Sequence, residues 1–277
     1  MQITKEQVKS WHACTDGFRW FLDKFPQGGA YADVHGALIA DKRFDDARWL
    51  VDKMYRTHLD KAEFIQAETA ATDKMVGELT SMEQPSDQVA EGENSSGYNA
   101  RIGSSGYNAR IGSSGNYAQI GSSGNYAQIG SSGNYARIGS SGYNARIGSS
   151  GDDAQIGSSG NYAQIGSSGY NAQIGSSGNY ARIGSSGNYA QIGSSGYNAQ
   201  IGSSGNYARI TATGKGSVVA CAGSIERIVL GEGGCASVSW HDGKRIRIAV
   251  AYVGENGIEA NTPYYVNDEG QFVKVEE

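Results

Sequence analysis

Proline is nearly missing. The 277 residues hold three, and none lies between Pro85 and Pro263. Every residue of that stretch keeps a backbone N–H to donate, so nothing in it forbids a continuous β ladder. Cysteine is as scarce: Cys14, Cys221 and Cys235 are too few and too scattered for a disulfide framework, which favours a cytoplasmic home over an oxidising one. A Cys221–Cys235 bridge is the one pairing the spacing leaves open. No apolar run approaches the ~20 residues of a membrane span, and the opening Met1-Gln-Ile-Thr-Lys-Glu-Gln-Val-Lys-Ser10 lacks the charged-then-apolar order of a secretory signal.

Groups that do chemistry are also few. The histidines are His12, His35, His58 and His241, and none stands at zinc-ligand spacing with the cysteines. A Cys–His pair (His12 with Cys14, or His241 with Cys235) would have to be made by folding, since i and i+2 do not share a helix face. Gly214-Lys-Gly-Ser217 lacks the upstream glycine and the Lys-Ser adjacency of a phosphate loop. The recurrent Gly-Ser-Ser-Gly is not a nucleophile elbow. These absences point away from an enzyme and imply no cofactor and no metal.

What the chain does have is a repeat. From Ser95 it reads Ser-Ser-Gly-Tyr-Asn-Ala-Arg-Ile-Gly and starts again. Ile recurs every nine residues from Ile102 to Ile210, thirteen copies without insertion or deletion. Ala precedes each Ile by two. A nine-residue unit cannot bury its own Ile, but stacked units bury Ile on Ile, each worth ~1.5–3 kcal/mol. The expected element is a strand, Tyr-Asn-Ala-Arg-Ile, with Ala and Ile inward and Arg or Gln outward. Gly-Ser-Ser-Gly is then a corner. Two units per coil would give a rod on the order of 30 Å long. The strict Ala-x-Ile spacing argues against a flexible Gly/Ser linker. The lack of carboxylates, apart from Asp152 and Asp153, argues against a calcium-binding roll.

Charge follows the same division. Residues 1–94 carry 11 Lys+Arg and 17 Asp+Glu, residues 95–210 six Arg and two Asp, and residues 211–277 six basic and nine acidic side chains. All six arginines of the middle segment, Arg101, Arg110, Arg137, Arg146, Arg182 and Arg209, share one repeat position, with Gln in the other copies. Tyr and Asn exchange places just before them. In a regular strand that exchange would flip Tyr between faces, so both positions are read as lying at the mouth of the strand, where either reaches outward. Two accounts of the tyrosines stay open: a ladder that stabilises stacking, or a docking surface. Tyr135, Tyr143 and Tyr180 with the arginine row are the candidate partner-binding residues, because Tyr and Arg are favoured at binding hot spots.

Residues 1–80 read as a helical domain. Thr4-Lys-Glu-Gln7 resembles a capping box. Phe18, Phe21, Leu22 and Phe25 mark one helix face, Val34 and Leu38 a short third helix, and Ala47, Leu50, Val51 and Met54 a fourth. The seam Ala62, Ile65, Thr69, Thr72, Val76, Leu79 suits packing on the bundle or pairing with a second chain. Residues 81–94 are the expected linker. Beyond 210 the period stops. Ser217–Ala222 and Ile225–Leu230 read as irregular last coils, and Ala236–Trp240, Arg245–Val253 and Pro263–Val266 as an antiparallel β cap over 211–277. The fold class is therefore α+β and multi-module: helical domain, parallel β-solenoid, β cap.

The stretch Trp11-His-Ala-Cys-Thr-Asp-Gly-Phe-Arg-Trp-Phe21, with Arg43-Phe-Asp-Asp-Ala-Arg-Trp-Leu50, resembles the N-terminal helical module of uncharacterised phage and prophage proteins. The tail Gly231-Glu-Gly-Gly-Cys-Ala-Ser-Val-Ser-Trp-His-Asp-Gly-Lys-Arg245, then Ala249-Val-Ala-Tyr-Val-Gly-Glu-Asn-Gly-Ile258, is similar to the β domain that ends many of them, with Ser-Ser-Gly-x-x-Ala repeats between. The resemblance implies a phage setting in the cytoplasm of a bacterial host and brings no activity with it. The expected function is a non-catalytic, phage-type protein that binds a host or phage macromolecule along its rod, with inhibition as one consequence. The competing expectation is a structural spacer that holds the end domains apart. A nucleic-acid-binding or DNA-mimicking rod ranks lower, because the repeats carry little net charge of either sign. Aromatic density and the helical seam point to a homo-oligomer.

Overall fold

The computed structural model describes residues 1–59, 61–81 and 94–275. The helical module opens with β1 (Gln2–Ile3), then α1 (Lys5–Ser10), α2 (Thr15–Lys24), β2 (Gly29–Ala30), α3 (Tyr31–Ala40), α4 (Phe44–His58) and α5 (Ala62–Thr80). The capping box is present: Thr4 Oγ1 accepts the Gln7 N–H at 3.3 Å and Gln7 Oε1 accepts the Thr4 N–H at 3.0 Å. Two of the four orphan donors at the helix start are thereby satisfied. Phe21, Val34, Leu38, Ala47, Leu50, Val51 and Met54 are buried together, with Phe64 of α5 closing the same core. Outside it, Arg43 bridges Asp16 and Asp46 at 2.6 and 2.7 Å, tying the α2 start to α4.

A two-residue strand, β3 (Asn94–Ser95), precedes the repeats. Twelve four-residue strands follow every nine residues, from β4 (Arg101–Ser104) and β5 (Arg110–Ser113) to β15 (Gln200–Ser203). Each pairs in parallel with the strand eighteen residues away, Ile on Ile and Gly on Gly. Two nonapeptides thus make one coil, and successive strands alternate between two ten-stranded sheets. Ala and Ile from both sheets fill the narrow interior. The parallel coil does not stop with the period. It runs on through β16 (Ala208–Ala212), β17 (Val218–Cys221), β18 (Ile225–Leu230) and β19 (Cys235–His241), about eight turns in all. Only then do β20 (Ile246–Tyr252), β21 (Pro263–Val266) and β22 (Phe272–Lys274) pair antiparallel as end strands.

The strand within each unit is Arg/Gln-Ile-Gly-Ser, displaced toward the C-terminus from the expected Tyr-Asn-Ala-Arg-Ile. The reason is local. The second residue of each Tyr/Asn pair has φ between +53° and +60°, the left-handed region, which no strand can contain. The corner is therefore Ser-Gly-x-x-Ala, and its glycine is compulsory. A Cβ on Gly160 would lie 2.0 Å from the Gly142 carbonyl oxygen one coil away, and the other repeat corners from Gly115 to Gly205 are equally tight.

The helical module lies along the rod. Helix α5 runs across one sheet, and its buried side chains meet the outward strand glycines one after another. Leu79 covers Gly103, Val76 covers Gly121 and Gly139, Thr72 covers Gly157, and Ile65 covers Gly193. The match is geometric: a helical turn rises 5.4 Å and a coil about 4.8 Å, so about one residue per turn keeps step with one glycine per coil over the five coil steps from Gly103 to Gly193. The α5 seam thus packs on the solenoid, an outcome the narrow Ile/Thr/Val pattern did not announce, and it is consumed within the chain. The linker expected at 81–94 lies, apart from its two ends, outside the described residues.

Three identical substitutions in near-identical repeats should separate these roles. Gly160→Ala clashes with backbone and should cost about 1–3 kcal/mol, roughly 3–10 °C in Tm. Gly166→Ala, on the other sheet with nothing within 4 Å of its Cβ, should be neutral or slightly stabilising. Gly157→Ala places a methyl 2.4 Å from Thr72 Oγ1 and should loosen the helical module while the β circular dichroism signal persists. Equal Tm values for all three would contradict the stacking described here.

Candidate functional site: the open sheet face

Because strands alternate between sheets, the arginine row read from the sequence is two rows on opposite faces. Arg101, Arg137 and Arg209 belong to the sheet under α5. Arg110, Arg146 and Arg182 belong to the other, where they alternate with Gln128, Gln164 and Gln200 and all six side chains are exposed. The covered row is partly used up. Arg209 pairs with Glu226 and donates to the Arg56 carbonyl at 3.3 Å. Gln173 and Gln191 are buried. Arg137 is half-buried beside the helices.

The tyrosines divide likewise, into one ladder along each edge of the rod. Tyr98, Tyr117 and Tyr135 run up one edge. Its stacking stops at Asp152-Asp153 and resumes with Tyr170, Tyr189 and Tyr207. The helical module grips this edge: Phe44 packs on Tyr117 at 5.4 Å, and Arg48 lies over the Tyr135 ring and donates to its hydroxyl at 3.0 Å. The opposite edge carries Tyr107, Tyr126, Tyr143, Tyr162, Tyr180 and Tyr197, an unbroken ladder with centroids 4.9–6.1 Å apart. These six precede the Arg/Gln row of the open sheet by two or three residues and stay exposed. So Tyr143 and Tyr180 join Arg110, Arg146 and Arg182, whereas Tyr135 belongs with Arg101, Arg137 and Arg209.

The Tyr/Asn exchange has a structural logic. An Asn in first position accepts the N–H of the first-position residue one coil on, as Asn125 Oδ1 does from Tyr143 at 2.9 Å and Asn134 Oδ1 from Asp152 at 2.9 Å. An Asn in second position takes the left-handed backbone that it tolerates better than most residues. Tyr fills whichever place is left and points outward from both, as expected for positions at the mouth of the strand. Asp152 and Asp153 do both jobs of Asn: Asp152 Oδ1 accepts the Tyr170 N–H at 2.8 Å, and Asp153 accepts from Asn171 at 2.7 Å.

Between the open Arg/Gln row and the far corners lies a trough floored by Gly112, Gly130, Gly148, Gly166, Gly184 and Gly202. A groove of about 1190 Å³ follows it. At its end stand Val218 and, on β20, Ile246, Ile248, Val250 and Tyr252, the β20 four 51–64 % exposed on one strand face. No carboxylate occupies an outward position from β5 to β17. The whole strip is cationic and aromatic along one side and apolar at one end.

Neither the Cys221–Cys235 nor the Cys235–His241 pairing is assembled. Cys14 Sγ caps α2 by accepting the Gly17 N–H. Cys221 and Cys235 are free thiols. Cys221 points into the core, where burial pushes its pKa up to about 12, and Cys235 lies on the opposite face of the sheet. Cys235 and His241 sit at opposite ends of β19, about 20 Å apart along the strand. Among the described residues no three His, Cys, Asp or Glu side chains converge as metal ligands, and no helix is long and apolar enough to cross a membrane.

One titratable cluster escaped the sequence reading because it forms only at the junction of module and rod. Glu68 of α5 is buried, with Tyr31 of α3, Tyr55 of α4 and Arg137 of β8 (Arg137–Ser140) around it, and His35 of α3 lies against Tyr31 and Arg137. Burial raises the Glu68 pKa, opposed by Arg137 and by its hydrogen bond with Tyr31. Burial lowers that of His35.

Residues 1–59 match the model of the YdhT N-terminal domain. The uncharacterized protein YdhT of Escherichia coli (strain K12) is 38% identical over 75 residues, which is 27% of this chain and 28% of that protein. The match thus spans little more than a quarter of either chain. The family match takes in α1 to α4 and ends at Leu59, leaving α5 and the solenoid outside it. No solved structure matches.

Glu68→Gln tests the junction. A carboxyl whose folded pKa is raised contributes stability that is complete below its unfolded pKa and lost as pH rises through the folded one. Buried neutral His35 has the opposite sign: its stability is complete above the unfolded pKa and lost as pH falls toward the folded one. The Gln variant should therefore gain Tm at pH 8 relative to the parent and gain less at pH 5, with the acid-side decline kept. A variant less stable than the parent at pH 8 would mean that the Glu68–Arg137 attraction outweighs burial.

Proposed function

We propose that this chain is a non-catalytic binding protein of phage type, acting in the bacterial cytoplasm, whose open sheet face and adjoining tyrosine ladder engage a host or phage macromolecule. The observation that carries the reading is the contrast between two faces built from one repeat. The face under the helical module is occupied. The other presents the same Arg/Gln row, the same glycine trough and an unbroken aromatic edge to solvent. Exposed Tyr and Arg beside a groove are the composition of an interface centre.

The spacer reading is less favoured because the helical module lies beside the rod instead of at its end, so lengthening the rod would not separate it from α5's partners. Direct nucleic-acid binding is disfavoured by charge density. Arg110, Arg146 and Arg182 recur every second coil, about 9.6 Å, against one DNA phosphate per ~1.7 Å of axis. A DNA mimic would need carboxylates, and the described strands of this face from β5 to β17 present none outward. Self-association through α5 is disfavoured because its seam is already buried.

The test is capture from nuclease-treated bacterial lysate with the tagged parent, the triple variant Arg110→Glu/Arg146→Glu/Arg182→Glu, and Arg19→Glu, an exposed α2 position, as control. All three substitutions on the rod are exposed, so each should change stability by no more than about 0.5 kcal/mol. The triple variant should lose the parent's partners by roughly tenfold or more, because reversed charge repels as well as removes attraction. The control should retain them. Loss in the control with retention in the triple variant would move the binding site to the helical module.

A further inference from the structure

We infer that the occupant of the open face is an acidic amphipathic α-helix of a partner protein, laid along the glycine trough as α5 is laid along the covered one. The inference rests on the reading of the open face as the binding surface and says what kind of element it takes.

The molecule itself supplies the precedent. Strands of identical sequence, Gln-Ile-Gly-Ser and Arg-Ile-Gly-Ser, build both faces, and on the covered side that sequence receives a helix. The fit is not sequence-specific in detail. It needs a side chain no larger than Leu once per turn, as with Leu79, Val76, Thr72, Thr69 and Ile65, set down where the strand has only Cα hydrogens. The open trough offers the same floor: a Cβ on Gly130, Gly148, Gly166, Gly184 or Gly202 would meet nothing within 4 Å.

Length and charge agree. From Gly112 to Ala220 the trough spans six coil steps, about 29 Å, which a helix of about 19 residues covers. Helix α5 has 19 residues. It carries Glu63, Glu68, Asp73 and Glu78 against Lys74 alone, and Glu68 sits near Arg137 while Asp73 accepts from the Ser159 hydroxyl at 2.7 Å. On the open side Arg110, Arg146 and Arg182 flank the trough, and no strand of that sheet from β5 to β17 carries an outward carboxylate. A helix with acidic residues along one flank and small or β-branched residues along the adjoining face complements both features. The exposed Val218, Ile248 and Val250 at the end of the trough would receive a larger apolar side chain at the helix terminus, where α5 presents Leu79 or Ile65 to its own face.

The probe is a helix-stapled peptide with the sequence Ala62–Thr80, titrated into the full-length protein. Saturable one-to-one binding is expected. It should weaken by roughly tenfold or more in Gly148→Val/Gly166→Val, which fills the trough at two paired positions where an added Cβ meets nothing within 4 Å, and in Arg110→Glu/Arg146→Glu/Arg182→Glu. It should stay within about twofold of the parent in Arg19→Glu, an exposed site far from the trough. Absence of saturation at millimolar peptide, or binding indifferent to the valine pair, overturns the inference. So does light scattering that gives twice the 29.2 kDa chain mass and returns to the monomer in the valine pair, because the face would then belong to a second copy. Failure of the peptide with arginine-dependent capture retained in lysate overturns the helical occupant alone. Loss of arginine dependence in the lysate overturns the binding face itself.

Discussion

The rest of the structure depends on how closely the corner glycines stack. At each repeat corner from Gly115 to Gly205 a carbonyl oxygen from the preceding coil occupies, to within about 2 Å, the place where a Cβ would be. That contact leaves no room for a side chain and little for a change of coil length. It holds the period at eighteen residues and the register at Ile over Ile, and it brings the left-handed residue of every corner into a column. The Asn and Asp rungs then reinforce the same spacing, because each accepts an N–H from one coil further on. A ladder of tyrosines at about 5 Å is a consequence of this stacking before it is a cause of anything. Left-handed backbone at Tyr costs about 1–2 kcal/mol per residue, and rings stacked on both sides recover an amount of the same order.

From an eighteen-residue coil made of two nonapeptides it follows that both faces are chemically the same. The asymmetry of the molecule comes from outside the repeat. A single helix, α5, turns one face into a core and leaves the other as surface. Phe44 and Arg48 of α4 do the same to the tyrosine edge on that side. The interruption at Asp152-Asp153 lies on the gripped edge, so the free ladder is the continuous one. The match to the family model ends at Leu59, before α5 begins.

Much of this was legible in the residues. Strict Ala-x-Ile spacing without proline means stacked strands, and Thr4 with Gln7 means a helix start; both are local patterns with a single good structural solution. The continuation of the coil into Val218–Cys221 and Ile225–Leu230 was legible too, since apolar alternation survives there after the strand glycines go. The position of the strand within the unit was not, because Asn, which tolerates positive φ, exchanges places with Tyr, which is ordinarily a strand residue. Nor was the division of six arginines into two rows. A period of nine places them in one column on paper, and only the number of units per coil, which the sequence leaves open, separates Arg137 from Arg146. The Glu68 cluster was hidden for a related reason: its members come from three helices and a strand, and no spacing along the chain brings them together.

The same division bears on how such a protein changes. A substitution at a repeat position acts on one face or the other according to whether its unit is odd or even, although neighbouring units look alike. Arg137 and Arg146 are nine residues apart and occupy the same column of the repeat, but one is held beside Glu68 and the other faces water. Duplicating a single nonapeptide would exchange the faces for every strand beyond the insertion and bring residues of the open row such as Arg182 to the sheet beneath α5, where Gln173 and Gln191 are buried. Duplicating two would lengthen the rod and leave both faces as they are. A repeat array fastened to a helix on one side is therefore constrained to grow by coils, in steps of eighteen residues, however regular its nine-residue unit looks in the sequence.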